Sequence, residues 1–158
     1  KECYKTIGKS SKEFNNTSLV IYHGPVGTSR NYVEFLNFYS PCFCSLYYNT
    51  KRNTYDFGQL LTEEISFNKK YKEFKNHYAG FIKSLLITQV PHHGAKSNWN
   101  SAIIKDLPNS SFWVVSAGLR NKYGHPSYDV VTEIGISGRR CFWSNEMSII
   151  TIQSKTEW

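Results

Sequence analysis

Apolar residues occur along the chain in short runs cut by polar turns, the spacing of strands rather than of long helices. Residues 18–22 (SLVIY) read as a strand stopped by Gly24-Pro25, 43–48 (FCSLYY) as a second, and 85–90 (LLITQV) as a third ended by Pro91. Residues 112–116 (FWVVS) form a fourth, and 140–143 with 147–153 read as a closing antiparallel pair around Ser144-Asn145-Glu146. Helical patterns lie between them at 57–64, 69–79, 98–107 and 128–134, the last entered through Ser127, whose hydroxyl is placed to cap it. The polar, lysine- and asparagine-rich stretch 51–78 reads as a mobile insertion. In the second half the order strand, polar loop, helix occurs twice, which predicts an α/β chain with a mixed sheet and flanking helices.

Length and composition narrow this to one domain over residues 1–158. The chain is 40% hydrophobic and 16% aromatic, too apolar for wholesale disorder. No run of about 18 uncharged apolar residues is available to span a membrane, and the opening residues lack the apolar block of a signal peptide. A soluble, cytoplasmic protein is expected. Nineteen basic against 12 acidic side chains give +7, a surface that favours anionic partners. The four cysteines show no C-x-x-C pair and read as buried reduced thiols. Asn16-Thr17-Ser18 matches a glycosylation sequon by letter only.

Two loops concentrate the chemistry. One, Pro91-His92-His93-Gly94-Ala95-Lys96-Ser97, leaves the 85–90 strand; the other, Leu119-Arg120-Asn121-Lys122-Tyr123-Gly124-His125-Pro126, leaves the 112–116 strand. In open α/β sheets such loops gather ligands, so both are expected at one rim. Imidazole suits zinc, manganese or iron. On extended backbone successive side chains point opposite ways, which predicts that only one of His92 and His93 faces the site. His77 and His23 read as structural. Lys96, Arg120 and Lys122 could attract an anion, while Trp99 and Tyr123 are expected in the core. The chain has no phosphate-loop G-x-x-x-x-G-K, no G-x-S-x-G elbow and no H-E-x-x-H.

Taken together, NTSLV at 16–20, the strand with Leu46-Tyr47, LLITQVPHHGAKSNWN and WVVSAGLRNKYGHPSYDVV with its closing hairpin resemble the C-terminal half of a metallo-β-lactamase-fold hydrolase. The branch is that of the C-terminal domain of DNA-uptake competence proteins of the ComEC type. The resemblance implies the C-terminal portion of a four-layer αββα fold and a metal-dependent hydrolase, using zinc or manganese, of phosphodiester or other anionic substrates. By position it implies His92, His93 and Asn16 as metal ligands. His92, His93 and His125 would be catalytic, with Lys96, Ser97, Asn121 and Lys122 beside the substrate. The family's H-x-H-x-D-H is absent, and Tyr48-Asn49-Thr50 stands where a glycine-aspartate is expected after the Leu46-Tyr47 strand. The alternative is a non-catalytic module of the same fold that binds nucleic acid or a protein partner. A half-fold should also leave an apolar sheet face open, which implies a protein partner or a homo-oligomer.

Overall fold

The computed structural model describes residues 20–24, 30–40, 43–48 and 58–157. Among the described residues eight strands form two sheets: β1 (Ile21–His23), β2 (Arg30–Ser40), β3 (Phe43–Tyr48), β4 (Gly58–Leu61), β5 (Leu85–Gln89), β6 (Phe112–Ser116), β7 (Arg140–Ser144) and β8 (Ile149–Glu157). The larger sheet has the order β1-β4-β5-β6-β7, and β3-β2-β8 make the smaller one. Strands β4 to β7 run parallel and β1 is antiparallel to β4, so the five-stranded sheet is mixed. The smaller sheet is antiparallel throughout. Helices α1 (Phe67–His77), α2 (Ala102–Asp106) and α3 (Tyr128–Ile136) also lie among the described residues. The chain is α/β.

Strand β5 reads as a near-continuous apolar run because a central parallel strand is buried on both faces. On one face Leu60, Trp113 and Val115 meet Phe67 and Phe74 of α1, Ile103 and Ile104 of α2, and Val130 and Ile134 of α3. Phe67, Tyr71, Phe74 and Tyr78 recur at helical spacing, so the lysines of α1 are left outward and its aromatic stripe faces the sheet. On the other face Ile87 and Phe112 pack with Val114, Phe142 and Ile150. Ile150 belongs to β8, so this smaller cluster is where the two sheets meet.

Five expectations change. The helix expected at 57–64 is strand β4, which pairs with both β1 and β5; a four-residue apolar run has no period long enough to reveal itself, and tertiary pairing decides it. Residues 58–78 are therefore not an insertion, since they supply β4, α1 and four buried core side chains, Leu60, Ile65, Phe67 and Phe74. The closing pair is not a hairpin of one sheet: β7 pairs with β6 and β8 with β2, and an Asn145–Ser148 bridge closes the turn between them. Ser127 occupies the N-cap of α3, but its hydroxyl makes no capping hydrogen bond; its carbonyl accepts from the Val130 and Val131 amides. The long strand β2 had no counterpart in the sequence reading. The helix expected at 98–107 shortens to α2, preceded by a 3-10 turn at Lys96–Asn98. Among the described residues no helix is long and apolar enough to cross a membrane.

Helices α1 and α2 are tied by a polar contact with a measurable consequence. Asp106 accepts a hydrogen bond from the Tyr71 hydroxyl at 2.5 Å and one from the Lys75 ammonium at 2.9 Å. The Tyr71 bond, and then Lys75, hold its carboxyl below the ordinary 3.8. A carboxyl depressed in the folded state contributes stability above its unfolded pKa, and that stability is lost as pH falls through the folded value. Between about pH 5 and about pH 2.5 the urea midpoint should therefore fall more steeply for the native chain than for Asp106→Asn. Equal slopes would show that this contact is not linked to folding.

Candidate functional site

The site starts where β4 and β5, parallel neighbours, release their chains at the same end of the sheet. Gln89, the last residue of β5, uses its side-chain oxygen to accept from the backbone N–H groups of Thr62 and Glu63 at 3.0 and 3.3 Å, and its carbonyl accepts from the Thr62 hydroxyl at 2.9 Å. These bonds hold a tight turn in which Glu63 takes a φ of 41°. The next side chain, Glu64, is thereby aimed across the rim at the histidine loop.

Backbone conformation in that loop overturns the expected alternation of His92 and His93. Neither is extended: their φ/ψ values are 47°/48° and 56°/19°, and Gly94 follows at φ 81°. Left-handed backbone costs roughly 1–2 kcal/mol for each non-glycine residue, so surrounding contacts must hold it. The His92 amide donates to the Glu63 carbonyl at 2.7 Å, and the Ser127 amide donates to the Gly94 carbonyl at 2.9 Å. Gly94 is also required sterically, because a Cβ there would lie 2.7 Å from Pro126 Cβ. Both imidazoles consequently turn toward one carboxylate. His92 Nδ1 lies 2.9 Å from Glu64 Oε2, and His93 Nε2 lies 2.9 Å from Glu64 Oε1.

Proton counting constrains the cluster further. His93 Nδ1 is 2.6 Å from the Ser116 carbonyl, at the end of β6, so both ring nitrogens of His93 face acceptors. The two contacts are satisfied together only with a proton on each nitrogen, or with one on Glu64. For His92, donation from Nδ1 leaves Nε2 with the lone pair, and that nitrogen has no hydrogen-bond partner among the described residues.

The loop after β6 meets this pair as expected, bringing the His125 ring to 6.2 Å from that of His92, centroid to centroid, at 79°. Burial, followed by the neighbouring His92 and His93, holds the His125 imidazole below its ordinary 6.5, with Glu64 opposing. Tyr123 stacks on His125 at 5.9 Å and 19°, and Lys122 lies 5.2 Å from the Tyr123 centroid. Tyr123 is 69% exposed and thus not a core residue, whereas Trp99 is buried against Trp113 with its indole N–H donating to Glu133.

The remaining sequence candidates take different places. Lys96 is exposed and tied to Asp129 of α3, so its charge is partly spent within the rim. Ser97 is exposed; its carbonyl accepts from the Asn68 side chain and its hydroxyl donates to Asn98. Asn121 directs its amide into its own loop, toward Gly118 and His125. Asn16 lies outside the described residues. His77 stands in the last turn of α1 against Tyr78, and His23 is exposed on strand β1. Burial pushes the half-buried Cys141 thiol up to about 11, which disfavours the reactive thiolate; the side chains of Cys3, Cys42 and Cys44 lie outside the described residues.

Zinc or manganese requires several donors converging on one point at about 2.0–2.2 Å. Here the donors face one another in hydrogen-bonded pairs, and among the described residues no group of three or more His, Cys, Asp or Glu side chains is arranged to hold an ion. These residues do not fit a closed metal site, so the expected ligand role of His92 and His93 finds no support in this donor set. Glu64 is the residue that sequence reading missed. Its signal is a pair of acids, Glu63-Glu64, one residue beyond the short apolar run 58–61, a run whose pattern reads as helix. Against known proteins, the chain matches no family model, no curated protein and no solved structure.

Proposed function

We propose that this chain is a hydrolase of phosphodiester or other anionic esters, built on the C-terminal portion of a metallo-β-lactamase-like αββα fold. The observation that carries the reading is the Glu64 carboxylate held between His92 and His93 at the end of parallel strands. The resemblance calls for an acid after a tight, glycine-favouring position behind a strand. Thr62-Glu63-Glu64, with its positive φ at Glu63, answers that description better than Tyr48-Asn49-Thr50.

Each residue has a chemical task in this reading. Glu64 accepts the His92 Nδ1 proton and so makes Nε2 the basic nitrogen. His125, held neutral by burial, stands beside it as a second imidazole able to take a proton from an attacking water. His93, fixed between Glu64 and the Ser116 carbonyl, places its imidazole at the same rim where an anionic ester would lie. Arg120 and Lys122 raise the local concentration of anions at the rim. No step is assigned to a metal ion.

The test is hydrolysis of bis(p-nitrophenyl) phosphate by the native chain and by His125→Ala, each with and without a chelator. General acid-base groups typically contribute about 10²–10⁴-fold, so His125→Ala should lose at least about 100-fold. Equal rates for the two proteins would overturn the reading, and loss of the native rate to chelator would return a metal to it.

A rival reading, a non-catalytic module binding nucleic acid or a protein partner, is favoured by the exposed Tyr123 with Lys122 against it, a pairing suited to stacking on a base. Ile21 and Leu61, cross-strand partners that are 41% and 38% exposed, support a protein partner or a second copy. Salt-sensitive DNA binding without hydrolysis would favour this module. A cytoplasmic setting accords with the free, half-buried thiol of Cys141.

A further inference from the structure

We infer that Asn121 is the positioning residue for His125 and does not contact substrate. The inference rests on the reading above of His125 as an acid-base group, and it replaces the expected substrate-binding role of Asn121.

A carboxamide offers two N–H donors and one oxygen acceptor. In Asn121 all of these are directed at its own loop: Nδ2 donates to the Gly118 carbonyl and to the His125 carbonyl, each at 2.6 Å, and Oδ1 accepts from the His125 backbone N–H at 2.8 Å. Both N–H donors are therefore committed, leaving none for a phosphate oxygen. One side chain grips His125 by its backbone N–H and carbonyl together, which fixes where its Cα sits and from which direction the imidazole enters the site. The Asn121 amide adds a turn bond to the Gly118 carbonyl at 3.3 Å. Gly124, at φ 68°, supplies the reversal that brings residue 125 back within reach.

A second clamp secures the opposite end of the loop. Glu146, in the turn between β7 and β8, accepts from the Leu119 amide at 2.8 Å, and its carboxylate fills the space a Cβ on Gly118 would need. With 119 held from outside and 125 held from within, the freedom left to the loop lies in the exposed Lys122-Tyr123-Gly124 tip. Asn121 therefore joins the anchored start of the loop to its functional end. A wrongly placed imidazole costs rate with little effect on ground-state binding, because a positioned base acts in the transition state.

Two measurements on the full chain test this, one of them independent of turnover. Amide hydrogen exchange should show the His125 N–H losing at least about 10-fold in protection in Asn121→Ala, while the β5 and β6 amides keep theirs. Asn121→Asp keeps the acceptor but sets a carboxylate oxygen against the Gly118 and His125 carbonyls, so it should lose protection as well. The nuclear Overhauser contact between the His125 and His92 rings should weaken in Asn121→Ala, which a loop defect that left the imidazole in place would not produce. In the hydrolysis assay, Asn121→Ala should lower kcat by about 10-fold or more with KM nearly unchanged. A raised KM with kcat intact would make Asn121 a substrate contact and overturn the inference. Unchanged protection and ring contacts in Asn121→Ala would overturn it too, whether or not the native chain hydrolyses the ester. Absent hydrolysis with the exchange and ring effects intact would instead refute the catalytic reading alone.

Discussion

On the proposed hydrolytic reading, replacing Glu64 by alanine should lower cleavage of an anionic ester by about 100-fold or more, as large a loss as that expected at His125. Its carboxylate is the shared acceptor of His92 Nδ1 and His93 Nε2, so alanine leaves both imidazoles without the group that orients them. Consecutive left-handed residues at 92 and 93 would then lose contacts that offset their backbone cost, and the loop should relax. Glutamine separates charge from geometry. Its oxygen can still accept from His92, while its amide can donate to His93 Nε2 with His93 Nδ1 still bonded to the Ser116 carbonyl. Glu64→Gln should therefore melt within about 2 °C of the native chain yet lose at least about 10-fold in rate. Full activity in Glu64→Gln would show that the negative charge of Glu64 is not needed.

The largest effect on stability is expected at Trp113, from β6, which is 0% exposed and packs edge-on against Trp99 with ring centroids 5.8 Å apart. Trp113→Ala should destabilise by about 3–5 kcal/mol through lost burial and the cavity left behind. Little of this comes from its hydrogen bond. The Ser110 carbonyl that accepts from the Trp113 indole at 3.0 Å also accepts from Arg139 Nε at 3.0 Å, so it keeps a partner. The same guanidinium donates through Nη2 to the carbonyls of Ile104 and Leu107, closing the C-terminal end of α2. Trp113→Phe, which fills most of the volume, should accordingly recover more than half of the loss. Urea melts give both values, and a loss below about 1 kcal/mol for Trp113→Ala would mean that the core closes over the gap. Because the Ser116 carbonyl at the end of β6 holds His93, alanine at 113 should also loosen the site.

Elements with enough residues to show a period were legible. Six runs correspond to strands β1, β3, β5, β6, β7 and β8, and the periodicity of α1 and the Pro-Ser entry to α3 gave both helices to within a few residues. Short or context-dependent elements were not. Strand β4 is four residues long and exists because β1 and β5 offer their edges to it, a long-range fact that local propensity does not contain. The exit of the chain from one sheet into the other after Ser144 is likewise invisible in a run that reads as a hairpin.

At the rim, the order of residues alone determined that the chain is α/β and that two histidine-bearing loops leave neighbouring strands at one end of a sheet. That follows from local patterning, because burial and turn chemistry are written in adjacent residues. Which way each imidazole points was decided only by the tertiary structure. The left-handed turn at His92 and His93 is imposed by contacts from Glu63, Glu64, Ser116 and Ser127, residues remote in the chain, and the same convergence gives Glu64 its place between them.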